Sequence, residues 1–106
     1  MSANQKTTQA PYAIVIGLDC ITGLQTARIL ADRNVPVIAI AKDLNHPCCR
    51  TKVCERIIHA HTGSEEFIRT LENLGPTLSQ KAVLFPCTDM SVLLISRNRE
   101  RLRGWY

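Results

Sequence analysis

The sequence predicts an α/β fold: a three-layer, open parallel sheet of about four strands with helices on both faces. Two observations predict it. Short, continuously apolar segments, typical of strands buried on both faces, alternate along the chain with amphipathic segments of helical period. The first connections are also short, which favours right-handed β-α-β units and parallel strands. We expect the strand order 3-2-1-4 of a doubly wound sheet.

Four apolar segments are the predicted strands, and three segments carry helix signals. The predicted strands are Tyr12–Ile16, Val37–Ala41, Arg56–Ala60 and Ala82–Phe85. The predicted helices run from Thr22 to about Arg33, from Ser64 to Leu74, and onward from the turn Pro86-Cys87-Thr88-Asp89.

Local signals mark where these helices begin and end. Thr22 with Gln25 fits a capping box, Asn34 fits a left-handed C-terminal cap, and Ser64 fits an N-cap. Apolar residues at helical spacing are expected to face the sheet. They are Leu24, Ala27, Leu30 and Ala31 in the first helix and Phe67, Ile68, Leu71 and Leu74 in the second. The apolar residues of the third helix are Val92, Leu93, Leu94 and Ile95.

Length and composition favour one globular domain. The chain has 106 residues, 45% hydrophobic and 21% charged. Residues 1–11 are expected to be a disordered leader without a signal peptide, and 12–106 the domain. No apolar segment is long enough for a membrane span. Arginines between Arg97 and Arg103 supply most of the net charge of +4. We interpret them as a solvated helix end and expect no nucleic-acid partner.

The five cysteines indicate a reduced, cytoplasmic protein, because the count is odd and no export signal precedes them. We expect no metal site, since the histidines and cysteines lack the paired spacing of zinc ligands. They are His46, Cys48, Cys49, Cys54, His59 and His61. Cys20 and Cys87 fall where strands give way to helices, where a thiol can be reactive. Packing is the favoured interpretation, because no matching base is identifiable.

The candidate site lies where two strands give way to helices. Gly17 and Gly23 enclose a turn that carries Asp19 and Thr22, and Thr88-Asp89 follows the fourth strand. If the first and fourth strands are neighbours, both turns meet at the carboxyl edge of the sheet, where ligands bind in open α/β folds. Asp19 and Asp89 could then hold an amine and Thr22 a carboxylate. The alternative is that these residues only cap helices.

A nucleotide is a second possibility for this turn. Asp19 replaces the second glycine of the Rossmann dinucleotide fingerprint, where a carboxylate repels phosphate. Asp43, just after the second strand, stands where a ribose-binding acid would fall. A stand-alone, Rossmann-like nucleotide-binding or regulatory module is therefore the alternative function.

Four segments together resemble a known family. They are residues 15–28 (VIGLDCITGLQTAR), 34–40 (NVPVIAI), 49–56 (CRTKVCER) and 83–97 (VLFPCTDMSVLLISR). Over roughly Tyr12 to Leu102 the chain is similar to the N-terminal, pre-ATP-grasp domain of ATP-grasp carboxylate–amine ligases. The last segment, with its strand ending in Pro-Cys-Thr-Asp, is the most specific.

The resemblance implies an enzyme that joins a carboxylate to an amine through an acyl phosphate made from ATP with magnesium. The domain would line the substrate pocket with Gly17, Asp19, Thr22, Gly23, Thr88 and Asp89. ATP and magnesium residues lie later in such enzymes, in a downstream ATP-grasp domain, so none is assigned here. We expect a fragment that is not catalytic alone.

A third interpretation is an interaction module. The helix that carries Arg97 and Arg103, together with Trp105-Tyr106, would then dock a partner. The aromatic pair fits either a docking element or the boundary of a longer polypeptide. The oligomeric state stays open, a homodimer included, as does whether the Cys48-Cys49 loop is ordered.

Overall fold

The computed structural model describes residues 10–106. Their strands are β1 (Ala13–Ile16), β2 (Val37–Ala41), β3 (Arg56–His59) and β4 (Val83–Pro86). Their α-helices are α1 (Ile21–Asp32), α2 (Glu65–Leu74), α3 (Asp89–Arg97) and the single turn α4 (Arg99–Leu102). Two 3₁₀ turns, Pro47–Arg50 and Gly75–Thr77, lie in the connections. Residues 1–9 of the predicted leader lie outside the described part.

The four strands form one open, all-parallel sheet in the order β3-β2-β1-β4, which confirms the predicted topology. Ile16 at the end of β1 is in register with Ile40 of β2 and with Pro86 of β4. The carboxyl ends of these three strands therefore lie side by side.

Helices cover both faces of the sheet, as predicted. On one face, Leu24 and Ala27 of α1 pack against Val15 and its neighbours in β2. On the other face, Phe67 and Leu71 of α2 pack with the alternate side chains of the same strands. Because successive strand residues point to opposite faces, the short apolar segments supply both cores.

The buried face of α2 consists of the residues that its apolar pattern predicts, whereas the apolar residues of α3 are buried only in part. Every apolar residue predicted to face inward in α2 is buried. In α3, Leu94 and Ile95 pack against the core, whereas Val92 and Leu93 are 50% and 41% exposed. Four consecutive residues span the whole circumference of a helix, so the four apolar residues of α3 cannot all face the sheet.

The C-terminal aromatic pair folds back onto the domain. The Trp105 carbonyl accepts a hydrogen bond from the Ala82 N–H (2.9 Å), and the Tyr106 hydroxyl donates to the Leu71 carbonyl (2.7 Å). The Trp105 side chain lies so close to Gly75 that a Cβ added there would meet it at 2.5 Å. Both aromatics are therefore part of this domain's packing.

Within residues 10–106, no helix combines the length and the apolar character needed to cross a lipid bilayer.

Candidate functional site

The two predicted turns meet at the carboxyl edge of the sheet. The Cys87 N–H, just after β4, donates to the Ile16 carbonyl at the end of β1 (2.9 Å). A Cβ added to Gly17 would lie 3.0 Å from the Thr88 methyl carbon and 3.7 Å from the Cys87 Cβ. The turn after β1 and the turn after β4 are thus in direct contact, which confirms that β1 and β4 are neighbours.

The two glycines of the first turn are required by its geometry. Gly17 has φ +98°, a left-handed conformation that favours glycine. A Cβ added to Gly23 would lie 2.0 Å from the Gly17 carbonyl oxygen. The first turn of α1 therefore rests directly on the backbone that leaves β1.

Cys20 is the N-cap of α1, so the predicted capping box of Thr22 and Gln25 is wrong. The Cys20 thiol accepts a hydrogen bond from the Gly23 N–H (3.4 Å) and donates to the Gly17 carbonyl (3.1 Å). Thr22 lies inside the helix, one residue after its start, with an exposed side chain. A helix that begins earlier leaves the Thr22 hydroxyl free to face a ligand.

Asp19 connects the first turn to the chain beyond β2. Its carboxylate accepts a hydrogen bond from the Asp43 N–H (2.9 Å), so it does not cap α1. The Asp43 carboxylate in turn accepts from the Asn45 N–H (2.9 Å) and closes a local turn. Both acids therefore have structural roles, which accounts for these residue types without a ribose.

Thr88 caps α3 with a reciprocal hydrogen bond to Ser91. The Ser91 N–H donates to the Thr88 hydroxyl (3.2 Å), and the Thr88 N–H donates to the Ser91 hydroxyl (3.3 Å). Ser91 is fully buried. Sequence reasoning missed its part in the turn, because the sequence signal of this motif is Glu or Gln three positions after the cap and here that residue is Ser. Asp89, the first residue of α3, has an exposed carboxylate.

The structure thus divides the six predicted site residues into three groups. Gly17, Gly23 and Thr88 form the floor where the two turns touch. Thr22 and Asp89 lie above it, in the first turns of α1 and α3, with exposed side chains. Asp19 points toward the β2 side of the edge, where it holds Asp43. Above the floor the edge exposes one carboxylate, that of Asp89, and one hydroxyl, that of Thr22.

The thiol beside this edge is not an activated nucleophile. The single S–H of Cys87 has two acceptors within reach, the Phe85 carbonyl at 3.5 Å and the Thr26 hydroxyl at 3.7 Å. Partial burial raises the pKa of Cys87, the hydrogen bond with Thr26 offsets part of that rise, and the neighbouring Cys20 thiol adds to it. A raised pKa lowers the fraction of thiolate at neutral pH. Cys20 caps α1, and Cys87 packs against the core.

The remaining histidines and cysteines do not converge. In the chain from Ala10 onward, no group of three or more His, Cys, Asp or Glu residues is placed to hold a metal ion. His46 accepts a hydrogen bond from the Cys48 N–H (3.1 Å) as the cap of a 3₁₀ turn. Burial raises the pKa of Cys49, and it raises that of Cys54 to about 11. The Cys48-Cys49 loop is ordered as this turn.

Comparison with known proteins adds no relative: no family model, no curated protein and no solved structure matches this chain.

Proposed function

We propose that this domain is the N-terminal, substrate-binding domain of an ATP-dependent carboxylate–amine ligase of the ATP-grasp type. In such an enzyme a downstream ATP-grasp domain would supply the ATP and magnesium sites and form the acyl phosphate. The proposal rests on the resemblance of four segments of the sequence, and the geometry of the sheet edge supports it.

The single observation that carries the proposal is the contact between the two turns. Gly17 and Thr88 touch, so the first turns of α1 and α3 start from the same place on the edge. The exposed Asp89 carboxylate would bind the ammonium group of the amine substrate before its deprotonation. The exposed Thr22 hydroxyl would donate to the carboxylate. Such a division of roles suits a pocket that binds both reactants.

The alternative, a stand-alone nucleotide-binding module, has less support from the same geometry. Phosphates bind at helix N-termini through free N–H groups. At the start of α1 the Gly23 N–H already donates to the Cys20 thiol, and the Asp19 carboxylate stands where the fingerprint has glycine. The Asp43 carboxylate also accepts a backbone hydrogen bond. A diphosphate would have to displace one contact and tolerate a nearby negative charge.

The test is ADP release by a polypeptide in which this domain precedes its ATP-grasp domain, with panels of carboxylates and amines as substrates. We expect ADP release only when both substrates are present. Asp89→Asn is expected to raise the KM for the amine by about tenfold, as loss of one charge-assisted hydrogen bond does.

The matched control is Asp32→Asn, which removes an exposed carboxylate at the opposite end of α1. It is expected to leave the KM for the amine unchanged. ADP release that is independent of the amine, or equal effects of the two variants, would contradict the proposed function.

A further inference from the structure

β4 is an outer strand of the sheet, and its free edge has an unused pair of backbone groups. The Val83 N–H donates to the Tyr12 carbonyl, just before β1, and the Cys87 N–H donates to the Ile16 carbonyl at the end of β1. Parallel pairing alternates along a strand, so the N–H and C=O of Leu84 point away from β1. Neither group has a hydrogen-bond partner in the described chain. An extended segment could pair with them.

The two outer strands of the sheet differ in chemistry. β3 has Arg56 and His59 at its ends, both exposed, and charged or polar side chains discourage pairing with another strand. β4 carries only apolar side chains, and Val83 is 48% exposed. The Ala82 N–H, just before β4, already donates to the Trp105 carbonyl, and Pro86 lacks an N–H, so the free edge is limited to the backbone groups of Leu84. β4 is therefore the edge that favours an added strand.

One face of β4 borders an apolar groove. Its volume is about 220 Å³, and Val83 and Phe85 form the β4 side of it. Leu30 and Val35, at the end of α1, form the other side. This groove fits aliphatic side chains.

The other face of β4 borders a basic groove. Its volume is about 320 Å³, with Leu84 and Ile95 in its lining and the guanidinium groups of Arg99 and Arg103 beside them. Glu100 contacts Arg103 at 3.5 Å, and both side chains are largely exposed. Arg99 forms no ion pair among residues 10–106. The groove keeps a net positive charge.

We propose that β4 binds an extended segment of a partner protein by strand addition, and that acidic and aliphatic residues alternate along this segment. Successive side chains of a strand point to opposite faces. Carboxylates on one face would meet Arg99 and Arg103, and aliphatic side chains on the other would enter the groove beside Phe85. The Leu84 N–H and C=O would supply the backbone pairing.

Charge selects this partner over a second copy of the chain. Two copies joined at β4 in antiparallel fashion about a two-fold axis would carry Arg99 and Arg103 of both copies on the same face of the joined sheet. Like charges facing each other across such a seam repel. The carboxylates of an acidic segment would instead form ion pairs with Arg99 and Arg103.

The test uses fluorescence anisotropy with three labelled peptides of equal length. The first, Ser-Glu-Val-Glu-Ile-Glu-Val-Glu-Ser, alternates as proposed. The second has lysine in place of every glutamate, and the third groups the glutamates before the aliphatic residues. We expect the alternating peptide to bind at least about tenfold more tightly than either control peptide, a difference readily resolved in Kd.

Two variants of the full chain test whether the peptide binds beside Arg99 and Arg103. Arg99→Gln/Arg103→Gln neutralises exposed arginines and is expected to weaken binding of the alternating peptide by about tenfold. The matched control, Arg50→Gln/Lys52→Gln, removes the same charge near the opposite edge and is expected to leave the Kd unchanged. In a ¹⁵N spectrum the Leu84 amide is expected to shift on binding.

The proposal would be overturned if the three peptides bound equally, if the two variants had equal effects, or if the Leu84 amide did not shift. Self-association of the chain through β4 would also overturn it. These outcomes leave the proposed ligase function untouched, because that function rests on the turns around Gly17 and Thr88.

Discussion

The close approach of Gly23 to Gly17 determines the shape of the candidate site. The first turn of α1 lies on the carbonyl of Gly17, and Thr88 lies against the other side of the same residue. Glycine inside a helix ordinarily costs about 1 kcal/mol relative to alanine. Here that cost is outweighed, because any side chain at position 23 would collide with backbone atoms.

Gly23→Ala is therefore expected to destabilise the fold, against the usual helix preference. The added Cβ would lie 2.0 Å from an immobile carbonyl oxygen, so we expect a loss of at least about 3 kcal/mol in the free energy of unfolding. Urea denaturation measures it. Gly63→Ala is the control, since its Cβ would meet the Met90 side chain at 3.4 Å and the other contacts are wider. A stable Gly23→Ala variant would mean that α1 does not rest on Gly17.

At the scale of elements, Arg101 links α4 to α2 through hydrogen bonds and an ion pair. Arg101 donates two hydrogen bonds to the Glu72 carboxylate (2.8 and 3.1 Å) and lies 2.8 Å from a carboxylate oxygen of Glu65. These bonds lower the pKa of both carboxyl groups. A surface pair contributes little, but a bidentate arginine that joins two helices has the favourable geometry.

The Arg101 network is expected to lose its stabilising effect in acid. A carboxyl group whose pKa is lowered by folding stabilises the folded state above its unfolded pKa, near 4.5, and this effect is lost as the pH falls through the lowered value. The stability difference between wild type and Arg101→Gln should therefore be largest at neutral pH and shrink below about pH 4. Urea denaturation as a function of pH measures it. A difference that stays constant with pH, or an equal effect of Arg97→Gln, would refute the role of the network.

The secondary structure elements could be predicted where local patterns decide them. Asn34 has the positive φ (64°) that its cap position predicts, and β2 has the predicted bounds. The start of α1 could not be predicted, since a thiol is a weak cap and Thr22 looks better. Which apolar residues of α3 are buried could not be predicted either, because four of them are consecutive. Only the side of α3 that faces the sheet is buried, and Val92 lies on an exposed side.

At the scale of the whole molecule, topology brings the candidate site together. The strand order expected of a doubly wound fold makes β1 and β4 neighbours, and this contact joins turns more than 60 residues apart in the sequence. The packing of Trp105 and Tyr106 could not be predicted, because it depends on Gly75 and Leu71, which are distant in sequence. Likewise, the hydrogen bond between Asp19 and Asp43 needs the spatial order of the strands. Long-range contacts of this kind leave no local pattern.

The most direct test of substrate binding at the carboxyl edge of the sheet is a ¹⁵N NMR titration. The chain is titrated with amines, carboxylates, amino acids and, separately, ATP. We expect saturable shifts of the Gly17, Gly23 and Thr88 amides with an amine or a carboxylate, and none with ATP. Asp89→Asn is expected to weaken the binding of the amine by about tenfold. Shifts of these amides with ATP alone, or no saturable shift at this edge with any amine or carboxylate, would contradict the account.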